Sequence, residues 1–292
     1  MSKKIVVAVV SLMAVLSMNL VMAAAEPVKV ATSFSYSKDS DGVVYHAYHI
    51  GTADEDKPVS INLYRTNIFQ SGERINDNTI LGKWQLAVTD LAKFTLWTGY
   101  TYNDIRTFIP YAVMYDTKLA NDDHVWLSFG HNAVSTIQAY RQGVTSNAAG
   151  VSYLHDFGAG VNFTAQAGST LFSDSNSEKK FNLAVSKKYS QYFTMNLGYG
   201  YDNAEHKASP VYYVPVGEQV LFVGANYTVP VGVGKLALAA EQSLAAHNSD
   251  GSIKRQSISA DLTFGSFSTG AKYFRSGDYW AKTCQITWNH AW

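Results

Sequence analysis

The sequence predicts an all-β protein, a transmembrane antiparallel up-and-down β-barrel of about 16 strands, within a range of about 14 to 18. Three observations carry that expectation. The chain is rich in aromatics and glycine and poor in proline, with 19 Tyr, 14 Phe, 6 Trp and 21 Gly against 6 Pro in 292 residues. Apolar and polar residues alternate with period two in run after run, the mark of a sheet with one apolar and one polar face. The chain closes on CQITWNHAW, in which Cys284, Ile286, Trp288 and Trp292 share one parity, whereas soluble domains usually end in a few loose polar residues.

The N-terminus comes first in order. Lys3 and Lys4 precede an apolar run from Ile5 to Met22, followed by Ala23-Ala24-Ala25 and Glu26. A basic start, an apolar stretch and small residues at a cleavage point make a secretory signal peptide over 1–25, leaving 26–292 as one barrel domain. A retained anchor is the rival reading, but Ser11, Ser17 and Asn19 interrupt the run and no basic flank follows it. Without Lys3 and Lys4, 21 basic residues face 23 acidic ones, a net charge of about −2. A nucleic-acid partner, which calls for a strong basic excess, is therefore not expected. Cys284 is the single cysteine, so a disulfide-stapled scaffold is excluded.

The strand signals follow at 28–37, 43–50, 58–68, 79–89, 93–103, 107–116, 123–131, 134–142, 148–155, 160–170, 179–187, 191–202, 218–229, 235–245, 253–264, 266–275 and 280–292. In the first, Val28, Val30, Thr32, Phe34 and Tyr36 alternate with Lys29, Ala31, Ser33, Ser35 and Ser37. In 193–202, Phe193, Met195, Leu197, Tyr199 and Tyr201 alternate with Thr194, Asn196, Gly198, Gly200 and Asp202. Phe94 to Tyr102, Phe181 to Val185, Leu221 to Val229 and Ile258 to Phe264 repeat the pattern. Single-chain bacterial barrels have even strand numbers, so one run is misread, and 107–142 is the least regular stretch.

A soluble sandwich would turn the apolar face inward, while an outer-membrane barrel turns it to lipid. The strands are longer than the usual five or six residues of globular sheets. Their polar parity is crowded with Gly, Ser, Thr and Asn, and aromatics gather toward strand ends, as at Tyr100 and Tyr102 or Tyr199 and Tyr201. Both features fit a wet lumen with interfacial girdles.

The last strand resembles the final strand of bacterial outer-membrane barrels, which ends on an aromatic with apolar residues at alternate positions before it. That resemblance makes Cys284, Ile286, Trp288 and Trp292 the signal read by the barrel-assembly machinery, with His290 as a departure. A polar group near an interface costs only about 0–1 kcal/mol. A second resemblance lies at 171–230. Phe172-Ser173-Asp174-Ser175-Asn176 resembles the aromatic-Ser-Asp-Gly-Asn turn of exopolysaccharide-export porins, those of cellulose and poly-N-acetylglucosamine secretion, and of YaiO-type barrels. Tyr212-Tyr213-Val214-Pro215 resembles the Tyr-Tyr-Ser-Pro segment that follows in that group. Ser175 and Val214 depart from the pattern. The resemblance implies a barrel handling saccharide polymer, with periplasmic polysaccharide-export proteins as partners. The tetratricopeptide array of the large export proteins does not precede the barrel in this sequence, which leaves that task to another protein.

Asp122-Asp123-His124 sits at a turn, where a solvated turn is the simpler reading than a protease-like site. Ser173 beside Asn176 lacks an adjacent base in sequence, with His155 and His206 remote. His46 and His49 cannot face one side of a strand, which argues against a shared metal. Asp54-Glu55-Asp56 reads as a charged turn, and Val231-Gly232-Val233-Gly234 as a turn with no helix to bind phosphate. No catalytic, metal or cofactor site is expected. A barrel of this size leaves an aqueous channel, and parity nominates Arg65, Lys83, Lys235, Glu241, Arg255 and Asp261 as lumen-lining, with the signs nearly balanced. The expectation is a pore in the outer membrane of a Gram-negative bacterium, embedded in lipid. The rivals are a non-transporting structural or accessory barrel of an envelope complex and an outer-membrane hydrolase.

Overall fold

The computed structural model describes residues 29–52, 58–119, 123–208 and 211–291. The expected signal peptide (1–25), Asp54-Glu55-Asp56, Asp122 and Trp292 lie outside the described residues. Sixteen long strands form one closed antiparallel barrel. They are β1 (Lys29–Asp39), β2 (Val44–Thr52), β3 (Val59–Gln70), β4 (Glu73–Thr89), β5 (Ala92–Tyr102), β6 (Tyr111–Lys118), β7 (His124–Ala133) and β8 (Thr145–Asp156). The second half comprises β9 (Val161–Phe172), β10 (Ser177–Lys188), β11 (Phe193–Ala204), β12 (Glu218–Val231), β13 (Gly234–Asn248), β14 (Arg255–Phe264), β15 (Phe267–Ser276) and β16 (Tyr279–Ala291). Two-residue pieces at Thr107–Phe108 and Gly251–Ser252 pair antiparallel with the ends of β5 and β13. Each strand pairs with its neighbours in sequence, and β1 closes the ring on β16 from Lys29↔Ala291 to Asp39↔Ala281. Closure removes the unpaired backbone edge that hydrocarbon does not tolerate.

The misread strand is 134–142. Its residues form a loop carrying the short helix α1 (Ile137–Gln142). The local reasons were in the sequence. Thr136 is the N-cap, its Oγ1 accepting the Ala139 N–H at 3.1 Å, and Gly143 ends the helix in the left-handed region at φ 72°.

Period two assigns every strand residue to one of two faces. The outward face carries Leu63, Ile80, Leu127, Val151, Leu197, Leu238, Ile258 and Ile286, all exposed, and aromatic pairs such as Phe34–Tyr48 and Tyr100–Tyr102. The inward face carries the charged network and the α1 packing described below. One β-bulge interrupts the pattern: Leu221 pairs with Ala245 and Phe222 with Ser243, leaving Leu244 as the extra residue.

Both chain ends lie on one rim, where short turns such as 232–233 and 265–266 connect strands. The longer connections, 103–110, 134–144 and 205–217, all leave the opposite rim. The β3–β4 hairpin there turns on Ser71-Gly72, both with positive φ (52° and 81°), the signature of a primed two-residue turn.

Candidate functional site

Two of the long loops fold over the mouth of the barrel. Ile137 and Tyr140 of α1 join Val43, Ile68, Ile75 and Ala133 in one buried cluster. Ala139 joins Val144, Ala204, Tyr212 and Val214 in another. The helix therefore bridges the β3–β4 wall to the 205–217 loop, contacts possible only across the lumen. Polar groups pin it. The Tyr140 hydroxyl donates to Asp77 Oδ2 at 2.5 Å, and Arg106 lies over the Tyr140 ring at 5.1 Å while donating to the Val144 carbonyl at 2.9 Å. Arg141 meets Glu73 at 2.8 Å, and the Thr136 hydroxyl donates to the Val211 carbonyl. Burial pushes the Tyr140 hydroxyl well above its ordinary value, with the Asp77 charge adding to the effect. Burial lowers Arg106, partly offset by Tyr140 and Asp77.

The two short motifs, separated in sequence, meet at this rim. Phe172 stacks on Tyr212 with centroids 4.7 Å apart, and Tyr212 donates to Asp174 Oδ2 at 2.8 Å. Asn176 spans the gap: its Nδ2 donates to the His206 carbonyl at 2.9 Å and to the Tyr212 hydroxyl oxygen at 3.3 Å, and its Oδ1 accepts the His206 N–H at 3.0 Å. Ser173 accepts the Thr145 N–H at 2.9 Å, and the Pro215 carbonyl accepts the Ala204 N–H at 2.7 Å. Tyr213 points to the other side, stacked on Tyr279. Ser175 has φ 73°, in the left-handed region.

Below the mouth a charged network lines the β10–β15 wall. Glu218, 4% exposed, pairs with Arg255 at 2.9 Å and accepts from Ser276 at 3.4 Å. Lys180 meets Glu178 at 3.0 Å and Asp202 at 3.5 Å, and Arg255 lies 5.4 Å over the Phe274 ring. Of these groups Lys180, Asp202, Glu218 and Arg255 border a cavity of about 390 Å³ that also exposes Ser152, Gln166, Asn182 and Phe222. A second cavity of about 470 Å³ opens above it among Ser40, Asp41, Lys207, Tyr213, Asp250, Asp278 and Tyr279. Glu218 borders both, beside the loop cap. A third, of about 710 Å³, lies beneath α1 against Tyr64, Asp77, Trp97 and Asn132.

The inward face is also polarised along the barrel axis. Near the rim that holds the chain ends it carries Lys29, Lys93, Lys118, Lys188 and Lys235 against Asp116, Asp156 and Asp261. Near the loop rim it carries Asp39, Asp77, Glu178, Asp202 and Glu218 against Lys180 and Arg255.

Of the sequence-nominated lining residues, Lys83, Lys235, Glu241, Arg255 and Asp261 fall on the inward parity, opposite Trp97, Thr263, Ser257, Ser276 and Gly270 respectively. Gly270 leaves the room that the Asp261 carboxylate occupies. Arg65 does not belong with them. It is exposed on the outward face, opposite Tyr48 and Asn78. The parity was misleading because Tyr64 and Ile68, the apolar markers beside it, point inward, where Ile68 packs beneath α1. Glu178, Lys180, Asp202 and Glu218 were not nominated, although Lys180 and Asp202 stand on the polar parity of clean alternating runs. Cys284, Ile286 and Trp288 lie exposed on the outward face of β16.

His46 faces outward among Phe34, Tyr36 and Phe69, while His49 faces inward toward Asn62. Asp123 is joined by His155, at 2.5 Å, and by the Tyr153 hydroxyl, at 2.7 Å. Those hydrogen bonds, Tyr153 first and His155 next, hold the Asp123 carboxyl below the usual carboxylate range. His124 instead stacks on Trp126. Among the described residues no group of three or more His, Cys, Asp or Glu could hold a metal ion.

An apolar outer band, a polar inner wall and closure without an edge define the outer-membrane β-barrel class. Solved structures agree on the fold. The chain is similar to a bacterial polysaccharide outer membrane secretin at TM-score 0.68 and 11% identity, covering 91% of this chain and 99% of that one. It is similar to CdiB from Acinetobacter baumannii at TM-score 0.57 and 10% identity, over 91% of this chain and 60% of that one. It is also similar to OccK8 (OprE) of Pseudomonas aeruginosa at TM-score 0.51 and 10% identity, over 91% and 98%. No protein-family model matches the chain, and no curated protein matches it in sequence.

Proposed function

We propose that this protein is a non-enzymatic outer-membrane pore that passes a saccharide, and that its loop rim faces the cell exterior, as the longer loops of such barrels do. The observation that carries the reading is the closed barrel with a polar inward face, in which two cavities share Glu218 as a lining residue beside the loop cap. Selectivity in such a path is set by lining charges and inward-folded loops. The similarity to a polysaccharide secretin, together with the meeting of Phe172-Ser173-Asp174 with Tyr212, supports saccharide as the solute class.

One observation favours a second reading, a structural or accessory barrel that carries nothing. The mouth cap is held by buried apolar clusters on both sides of α1. Planar-bilayer recording of the refolded full chain separates the two. The pore predicts discrete current steps, increased by replacing 135–143 with a short Gly-Ser linker. A silent bilayer from protein with heat-modifiable gel mobility, in both forms, overturns the transport reading.

A further inference from the structure

We propose that the loop-rim cavity around Tyr213 and Tyr279 is a saccharide-binding subsite, an inference that rests on the saccharide reading and gives it a specific place. Tyr213 is 53% exposed although its neighbours are not: Tyr212 and Val214 are 5% and 8% exposed in the cap. Those two anchors fix the backbone on either side, so the Tyr213 ring is presented by a held segment. It stacks on Tyr279 with centroids 5.3 Å apart and planes at 10°. Phe274 continues the line 6.4 Å beyond, under the Arg255 guanidinium. The aromatic surface thus leads from the outer cavity to the Glu218–Arg255 pair.

A pyranose presents axial C–H groups on its faces and hydroxyls around its edge. The electron-rich face of a tyrosine suits the first, and a rigid aromatic contact forms with little loss of side-chain entropy. Fixed polar groups suit the second. Asp41, Asp278 and the Lys207–Asp250 pair, 2.6 Å apart, line the same cavity. Its volume of about 470 Å³ lies within the range of about 300–1,000 Å³ typical of small-molecule sites. An ion site would need the carboxylates alone and would leave the stacked pair without a role.

The test is calorimetric binding of cellohexaose, a neutral oligosaccharide, to the folded full chain in detergent. Tyr213→Phe should keep binding within about twofold, whereas Tyr213→Ala and Tyr279→Leu should weaken it at least tenfold, roughly the loss of one stacking contact. In a bilayer, the same two substitutions should relieve block by sugar added on the loop side. Undiminished binding in Tyr213→Ala overturns the subsite, as does a wild-type protein that binds calcium ions through Asp41 but no sugar. Conductance is read separately, so a conducting barrel that binds no oligosaccharide sinks this inference and the saccharide assignment while leaving the pore standing.

Discussion

The Tyr212 hydroxyl donates to Asp174 Oδ2 at 2.8 Å while its ring stacks on Phe172 at 4.7 Å. One side chain thus ties the 205–217 loop to the β9–β10 turn by two kinds of contact that mutation separates. Tyr212→Phe keeps the stack and loses the hydroxyl's two hydrogen bonds, to Asp174 and from Asn176, at about 1–3 kcal/mol. Tyr212→Ala loses both and leaves a cavity, at about 3–5 kcal/mol. Hydrogen exchange of the loop amides should rise slightly in the first variant and strongly in the second. Equal protection in wild type and Tyr212→Ala would show that the loop is held elsewhere.

The same residue gives the loop an alkaline limit. Burial, with Asp174 adding, raises the Tyr212 hydroxyl to about 12, against about 10 in an unfolded chain. A raised folded value means that its contribution is complete below the unfolded value and is lost as pH climbs through the folded one. Loop release should therefore occur between about pH 10 and 12. Tyrosinate absorbance, compared between wild type and Tyr212→Phe, should show one late-titrating group missing from the variant.

Asp123 sets a limit at the other rim and at the other end of the pH scale. Its carboxyl is held low by Tyr153 and His155, so the stability it contributes is present above the unfolded value and lost as pH falls through the depressed one. Acidification below about pH 4 should loosen the turn before β7, reported by Trp126 fluorescence. Asp123→Asn should remove that acid step, and an unchanged acid profile would count against the assignment.

Adjacent residues on β11 test the two faces. Leu197 is 51% exposed on the outward side, and arginine there should cost about 2–4 kcal/mol. Asn196 lies inward against Gly224, where arginine should be tolerated at a cost near zero by comparison. Unfolding midpoints in urea with lipid vesicles rank the two, and a reversed order would turn the barrel inside out.

Ser175 holds φ 73° in the turn between β9 and β10. A non-glycine residue there bears about 1–2 kcal/mol of steric cost. Ser175→Gly should recover about 1 kcal/mol net of its greater unfolded-state freedom, seen as a later unfolding midpoint.

Much of the fold was legible because period two is written on a barrel with little interference. Where only lipid and water border the sheet, as on β1 or β11, apolar and polar residues sort by face and the strand follows directly. Where a third phase intervenes the code breaks. Ile68 and Ile75 point inward yet are apolar, because α1 dries that part of the lumen, and Arg65 was misassigned as a result. The six residues of α1 are too few to display a helical period, and Val134-Ser135-Thr136-Ile137 imitates a strand, so only the Thr136 and Gly143 caps marked it. The meeting of Tyr212 with Phe172, and of Arg255 with Glu218, depends on loop and wall geometry that no local pattern encodes.

On the pore reading proposed above, the axial sorting of inward charge, lysines toward the rim of the chain ends and carboxylates toward the loop rim, predicts a lumen that rectifies current like a diode. Cations gather at one mouth and anions at the other, so reversing the voltage either draws both carriers into the bore or sweeps both out of it. In symmetric salt the current–voltage curve of oriented channels should bend, and bend less at high ionic strength as the Debye length shrinks. Reversing Lys93 and Lys188 to glutamate should straighten it. A linear curve at low salt would mean that the wall charges are neutralised by one another rather than by the ions in transit.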